Sequence, residues 1–151
     1  MANQVEPKLI TPLFDVLQKE RFVILATIDF ETSGPNVNAI SWIVSINDET
    51  IYFAVDNRSR IINNIKQNPK VVVNMIANES SYSISGDAAV KQERLPGVPL
   101  KLALVEMKIK EVRDVMFYGS KITSEPEYDK TYDKVAAERL DRQVLEAMKK
   151  S

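Results

Sequence analysis

Strand-forming runs follow one another so closely in this chain that most of them leave no room for a helical crossover. Phe22–Ile28 is β-branched and continuously apolar, the pattern of a strand buried on both faces. Glu31-Thr32-Ser33-Gly34-Pro35 is a turn by composition, and Val37–Ile46 follows as a second strand. Asn47-Asp48-Glu49-Thr50 then leads into a third, Ile51–Val55, which predicts a hairpin. Lys70–Ala77 and Ser81–Lys91 are two more, with Gly86 in the latter marking a bulge or a close backbone approach. After the rigid Leu95-Pro96-Gly97-Val98-Pro99 loop, Val105, Met107 and Ile109 alternate with Glu106, Lys108 and Lys110, giving a half-exposed strand over Leu102–Val112. Parallel neighbours need long connections, so a mostly antiparallel sheet is expected. Six such strands with a helix across one opening predict a small closed or partly open barrel.

Helices are few. Thr11-Pro12 reads as an N-cap followed by proline at the first helical position, opening a short helix through Leu13, Phe14, Val16 and Leu17 that ends near Lys19-Glu20. Ser59 can cap a second, with Ile61, Ile62 and Ile65 on one side and Asn68-Pro69 as its stop. Tyr132, Val135, Ala136, Leu140, Val144 and Met148 recur at helical spacing and predict a long amphipathic C-terminal helix over 127–150. There is no repeat or interdomain linker, so residues 1–151 are expected to form a single mainly β (α+β) domain.

Two absences narrow the chemistry. The chain contains no His and no Cys. This removes a Ser-His-Asp triad, a thiolate nucleophile, Cys-based zinc or iron–sulfur ligation, and a His- or Cys-ligated haem. No metal site is predicted. Any catalysis would therefore draw its hard chemistry from a bound cofactor. Twenty Lys+Arg against twenty-one Asp+Glu, with no like-charge block, argue against nucleic acid or a bilayer surface as partner. Residues 1–18 carry Glu6, Lys8 and Asp15 and no apolar run, so neither a signal peptide nor a membrane span is expected, and a cytoplasmic location fits.

GxGxxG and GxxxxGK[ST] phosphate loops are missing from the sequence. The best local candidate is Asp56-Asn57-Arg58-Ser59-Arg60, between a strand end and a helix start. A helix N-terminus offers unpaired N–H groups and a positive dipole end, Ser59 adds a hydroxyl and an Arg adds a fork of donors. The same residues also describe an ordinary capped helix with two solvated arginines. A second candidate is Asn38-Ala39-Ile40-Ser41-Trp42, a small, polar-edged strand suited to close approach of a flat heterocycle, or simply a strand with Trp42 in the core. Met75, Met107, Met116 and Met148 read as core filler. Glu106, Glu111 and Asp114 read as surface carboxylates, with general-base work the other option.

The run ISWIV…IYFAVDNRSRIINNIKQNPKVVV, followed by YSISGDAAV, resembles the pyridoxamine 5′-phosphate oxidase-like family of FMN-binding split barrels over about Leu13–Val112. The resemblance implies a six-stranded antiparallel split β-barrel with short flanking helices. It also implies a homodimer with one FMN in each of two clefts at the subunit interface. Ser59-Arg60 matches the family's Ser-Arg pair, whose arginine holds the FMN phosphate. Asn38, Ala39, Ile40 and Ser41 match the strand whose backbone lines the isoalloxazine ring. Phe53 and Ala54, or Ala54 and Val55, match the strand end near the ribityl chain, Ser81 matches a polar position against the flavin, and Ser85-Gly86-Asp87-Ala88 matches a G-x-A strand by pattern.

There are departures. Ile61 stands where the family has a second phosphate cation, so one clamp charge is lost unless Arg58 on the preceding loop replaces it, and the Arg-x-His element of the vitamin B6 enzymes is absent. The likeness is thus to the general-stress or flavin-reductase branch. Three readings follow: a flavin-dependent oxidoreductase on an unidentified small molecule, with Trp42, Tyr82 and Tyr118 shaping the substrate side; a flavin or anionic-heterocycle binding protein without turnover; or an interaction module using the C-terminal helix.

Overall fold

A computed structural model describes residues 5–151. Among them the chain runs β1 (Val5–Glu6), α1 (Thr11–Val16), β2 (Val23–Ile28), β3 (Pro35–Ile40), β4 (Ile43–Asn47), β5 (Thr50–Asp56), α2 (Arg60–Gln67), β6 (Lys70–Ala77), β7 (Ser80–Gln92), β8 (Leu102–Asp114) and α3 (Lys134–Lys149). Every strand pairing is antiparallel, in the order β3-β2-β6-β7-β8-β5-β4, with β1 added to β8. The sheet is not closed by pairing, because β3 and β4 are its two edges. The mainly β, antiparallel class expected from strand spacing is what forms.

Eight strands stand where six were expected, for two reasons. One is the short β1. The other is that Val37–Ile46 is not continuous but breaks at Ser41-Trp42, where the chain leaves one edge of the sheet and joins the other. The Ser41 carbonyl accepts the Ile43 N–H at 3.1 Å, a three-residue turn, and also the Arg21 N–H at 3.1 Å. Nothing in the local pattern marks this corner; it is imposed by the sheet curling back on itself.

Alternation on the strands makes two cores. Val23, Leu25, Phe53, Val71, Val73, Met75, Ile84, Val105 and Met107 fill the inside of the curl, and α2 plugs one end with Ile61, Ile62 and Ile65. On the outside, α3 lays Ala137, Val144 and Met148 against Val44, Tyr52, Ala54 and Leu104, with Leu95 and Leu102 closing the layer. Fully burying a side chain such as Val144 contributes roughly 1.5–3 kcal/mol, so α3 is integral to the fold. Its apolar stripe is occupied by the chain's own sheet, which counts against a free helix that docks a partner.

Some boundaries differ. α3 starts at Lys134, not near 127, because Asp133 caps it by accepting the Ala136 N–H; Tyr132 and Val135 stay exposed. In α1, Ile10 is the N-cap and Thr11 is already helical, so the Thr11 side chain makes no cap bond. Gly86 sits at a register shift between β7 and β8, and a Cβ there would meet the Lys108 carbonyl oxygen at 2.1 Å. That is the close approach its position in the strand predicted.

Candidate functional site

Helix α2 begins where β5 ends. Ser59 is extended (φ −63°, ψ 146°) and its Oγ accepts the Ile61 N–H at 3.1 Å, so the hydroxyl caps the helix. The helix is held in place from its own middle. Asn64, almost fully buried, donates through Nδ2 to Thr27 Oγ1 on β2 and to Asn36 Oδ1 on β3, both at 2.9 Å, and accepts the Phe30 N–H at 2.9 Å. One side chain thereby fixes α2 to both strands of the β2–β3 hairpin and to the turn between them.

Arg60 completes that junction. Its Nη1 donates to Asp29 Oδ2 at 3.0 Å and Glu31 Oε1 at 3.1 Å, and the guanidinium carbon lies 4.9 Å from the Phe30 ring centroid. Among the described residues these bonds occupy Nη1 alone, leaving the Nε–Nη2 side, the fork that matches two oxygens of an anion. The Asp29 carboxyl is held below its ordinary range, first by the N–H groups of Thr32 and Glu31 and then by Arg60. Arg60 is raised, chiefly by its hydrogen bond to Glu31. Arg58 is almost wholly exposed, its Nε 3.7 Å from Asp56 Oδ1. Ile61 is buried in the barrel core, so the residue at the second clamp position contributes no charge and does not face solvent.

The β3 strand lies beside this junction. It pairs with β2 only, so alternate N–H and C=O groups along its other edge have no strand partner. Asn38 and Ala39 are exposed, Ile40 leans on the core, and Ser41 Oγ donates to Glu20 Oε2 at 3.0 Å. Phe53 and Ala54 are placed differently. Phe53 is fully buried inside the barrel, while Ala54 faces outward beneath α3, its N–H bonded to the Trp42 carbonyl. Ser81 is half-buried on the outer face of β7, where its Oγ accepts from Asn74 Nδ2 at 2.9 Å. Within one protomer the structure therefore sets Ser59 and Arg60 at the 29–34 turn beside the start of β3, Asn38–Ser41 farther along that strand, Ala54 against the Ser41-Trp42 corner through its bond to Trp42, and Ser81 away on β7.

A cleft of about 440 Å³ opens on the outer face of β2, β6 and β7, lined by Ala26, Ile28, Val72, Ser85, Lys70 and Lys110 and reaching Pro35 at the start of β3. Lys110 and Lys70 both pair with Asp87, at 3.1 and 3.7 Å, and Lys110 foremost holds that carboxyl below its ordinary range. The cleft and Arg60 flank the same 29–34 turn. Tyr82 and Tyr118 lie instead around a polar hollow at the other end of β7. Asp114 is not the surface carboxylate expected: it is buried and accepts Ser80 Oγ at 2.7 Å and the Met116 N–H at 3.1 Å.

Asn64, Asp29 and Glu31 were not anticipated from the sequence. Asn64 had a signal, a polar residue at helical spacing inside the Ile61/Ile62/Ile65 face. The carboxylates had none, since they sit about thirty residues from Arg60 along the chain.

The comparisons agree with this architecture. The sequence profile of the pyridoxamine 5′-phosphate oxidase family matches residues 12–116. No curated protein matches the chain. Among solved structures, a Lactobacillus delbrueckii protein provisionally named a pyridoxamine 5′-phosphate oxidase superimposes with a TM-score of 0.58 at 20% identity, covering 71% of this chain and 98% of its own. General Stress Protein 26 of Bacillus anthracis gives 0.52 at 16%, covering 67% and 94%. HutZ of Vibrio cholerae, a haem storage protein, gives 0.52 at 15%, covering 70% and 95%. At such identities the likeness is one of fold. With the profile spanning more than half of its length, the chain belongs to the pyridoxamine 5′-phosphate oxidase family.

Proposed function

We propose that this protein binds FMN at the junction of α2 and β3 and acts, as a homodimer with the cleft between subunits, as a flavin-dependent oxidoreductase on a small molecule. The observation that carries the reading is the Asn64–Arg60 junction: it sets a guanidinium with a free fork and a capped helix start next to a strand edge with unpaired backbone groups. A phosphate and a flat ring with a polar edge need those two kinds of surface. Arg60 would hold the phosphate with Arg58 in support, and Asn38–Ser41 would offer backbone N–H and C=O groups to the ring. Bound there, the flavin would supply hydride transfer, which protein side chains do not provide. The chain's own part is to bind, orient and exclude water. Phe53, Ala54 and Ser81 remain part of the proposed cofactor set through family correspondence.

A second reading, flavin or anionic-heterocycle binding without turnover, is favoured by one feature. Asp29 and Glu31 already neutralise Arg60, and Ile61 brings no second cation. One structural neighbour is named for haem storage, yet this chain has neither imidazole nor thiolate to ligate iron.

Titrating FMN and riboflavin into the purified protein tests the proposal. Arg60→Ala should weaken FMN by about tenfold or more while leaving riboflavin, which lacks the phosphate, nearly unchanged. Glu31→Gln should tighten FMN. Equal losses for both ligands would remove Arg60 from the clamp, and absence of FMN binding would end the flavin reading. Bleaching of bound flavin by NADH or NADPH selects the enzyme over the carrier.

A further inference from the structure

The segment after β8 lies beyond the residues matched by the family profile, yet it returns to the strand end on which the flavin reading depends. At the Ser41-Trp42 corner, Trp42 Nε1 donates to Asp141 Oδ1 at 2.9 Å and Ser41 Oγ donates to Glu20 Oε2 at 3.0 Å. Lys130 joins these two carboxylates, bonded to Glu20 Oε2 and lying 2.9 Å from Asp141 Oδ2. Tyr128 OH adds a 3.0 Å bond to the other oxygen of Glu20, and its ring leans on Phe22 with centroids 6.3 Å apart. Arg21 ties the start of the same segment to the barrel, bonding Glu125 Oε1 at 2.9 Å and the Ile76 carbonyl.

These are not surface pairs of the kind that contribute little. The side chains of Lys130, Glu20 and Asp141 are only 26%, 17% and 13% exposed. In such surroundings, removing one charge leaves two close carboxylates facing each other without a counter-ion. A single ammonium thus holds four separate pieces of chain: the α1–β2 connection, the β3–β4 corner, the strap at 125–130 and α3.

We propose that Lys130 is a positioning residue: through Glu20 and Asp141 it latches the C-terminal strap onto the Ser41-Trp42 corner, and so fixes the end of β3 on which a bound flavin ring would lie. The latch itself is independent of any ligand. Its consequence for flavin rests on the reading given above. Trp42 is the only tryptophan in the chain, so its fluorescence reports the corner directly.

The experiment compares wild type with Lys130→Met, which keeps the alkyl stem and drops the charge, and with Lys130→Arg. In Lys130→Met the Trp42 emission should move to longer wavelength and become more accessible to acrylamide, and FMN affinity should fall roughly 2- to 30-fold. Lys130→Arg should restore both. Unchanged emission and quenching in Lys130→Met overturn the latch. A changed Trp42 signal with unaltered FMN affinity, in a chain that binds FMN, overturns the positioning role. If wild type takes up no FMN, the flavin reading fails by itself and the Trp42 arm still decides the latch. Should Lys130→Met not fold, Asp141→Asn serves instead, because it keeps an acceptor for Trp42 Nε1 while removing the charge opposite Lys130.

Discussion

Replacing Asn64 by leucine asks whether α2 is held by hydrogen bonds or merely by the isoleucines beside it. The substitution keeps the branching and the number of side-chain heavy atoms, so it opens no cavity, and it removes three neutral hydrogen bonds at 2.9 Å. At about 0.5–1.5 kcal/mol each these total about 1.5–4.5 kcal/mol. Burying the leucine returns roughly 1 kcal/mol, but Thr27, 2% exposed, keeps its hydroxyl away from water and adds about 1 kcal/mol of penalty. The expected net loss is about 1.5–4.5 kcal/mol. With a urea m-value of about 2 kcal/mol/M, the midpoint should fall by about 1–2 M at unchanged slope. Asn63→Leu is the control, because that neighbour is exposed and should shift stability by less than about 0.5 kcal/mol. Urea unfolding followed by circular dichroism and by Trp42 fluorescence measures both. Equal shifts for the two variants, or a loss below about 0.5 kcal/mol for Asn64→Leu, would refute the reasoning. FMN affinity in Asn64→Leu, measured well below the midpoint, should also drop, since the spacing between Arg60 and β3 then rests on apolar contacts alone.

Gly86→Ala should be among the most damaging single-methyl changes in the barrel. Its Cβ would come 2.1 Å from the Lys108 carbonyl oxygen, roughly 1 Å inside ordinary contact, and only separation of β7 from β8 relieves it. A loss of about 3 kcal/mol and a thermal midpoint lower by roughly 6–12 °C are expected, and a midpoint within about 2 °C of wild type would show that the strands give way freely. Alkaline pH should undo the strap before the barrel. Burial first, and then its bond to Glu20, push the Tyr128 phenol up to about 12, so the stabilisation is complete below the ordinary tyrosine value of about 10 and is lost as pH rises through about 12. Tyrosinate absorbance with Trp42 emission should show the Tyr128 phenol ionising late, as the corner loosens, and Tyr128→Phe should remove that step.

What was legible in the sequence is what depends on near neighbours. Lys70–Ala77 forms a strand with those ends because its period is local, and Ser59 caps α2 because a cap needs only the next few residues. Gly86 could be read because a strand interior gives glycine few other reasons to be there. The Ser41-Trp42 break could not, since both flanks have strand composition and the corner exists only because the two sheet edges approach. Asp114 looked like surface because it ends an alternating strand, and its burial depends on Ser80, thirty-four residues away. The Lys130–Glu20 contact spans 110 residues with no motif at either end. In the candidate site the same division holds: Arg60 was singled out from its place after a cap, while the carboxylates that restrain it were not.

The electrostatics of the chain bear on where reactivity resides. General acid–base catalysis near neutrality needs groups moved toward pH 7, a carboxyl raised or an amine lowered. Among the described residues, each group whose pKa departs from its ordinary value moves the other way. Asp29, Asp87 and Asp141 are held down, Lys8, Lys91, Arg60 and Lys130 are held up, and Tyr128 is pushed up. For Asp141, burial pulls upward and is outweighed by the bonds from Trp42 and Lys130; for Lys130, burial pulls downward and is outweighed by Glu20 and Asp141. Such shifts keep the carboxylates and cations charged, and the Tyr128 phenol neutral, through the physiological range. On the proposed reading these groups hold charge and position, and a bound heterocycle would supply the electron transfer.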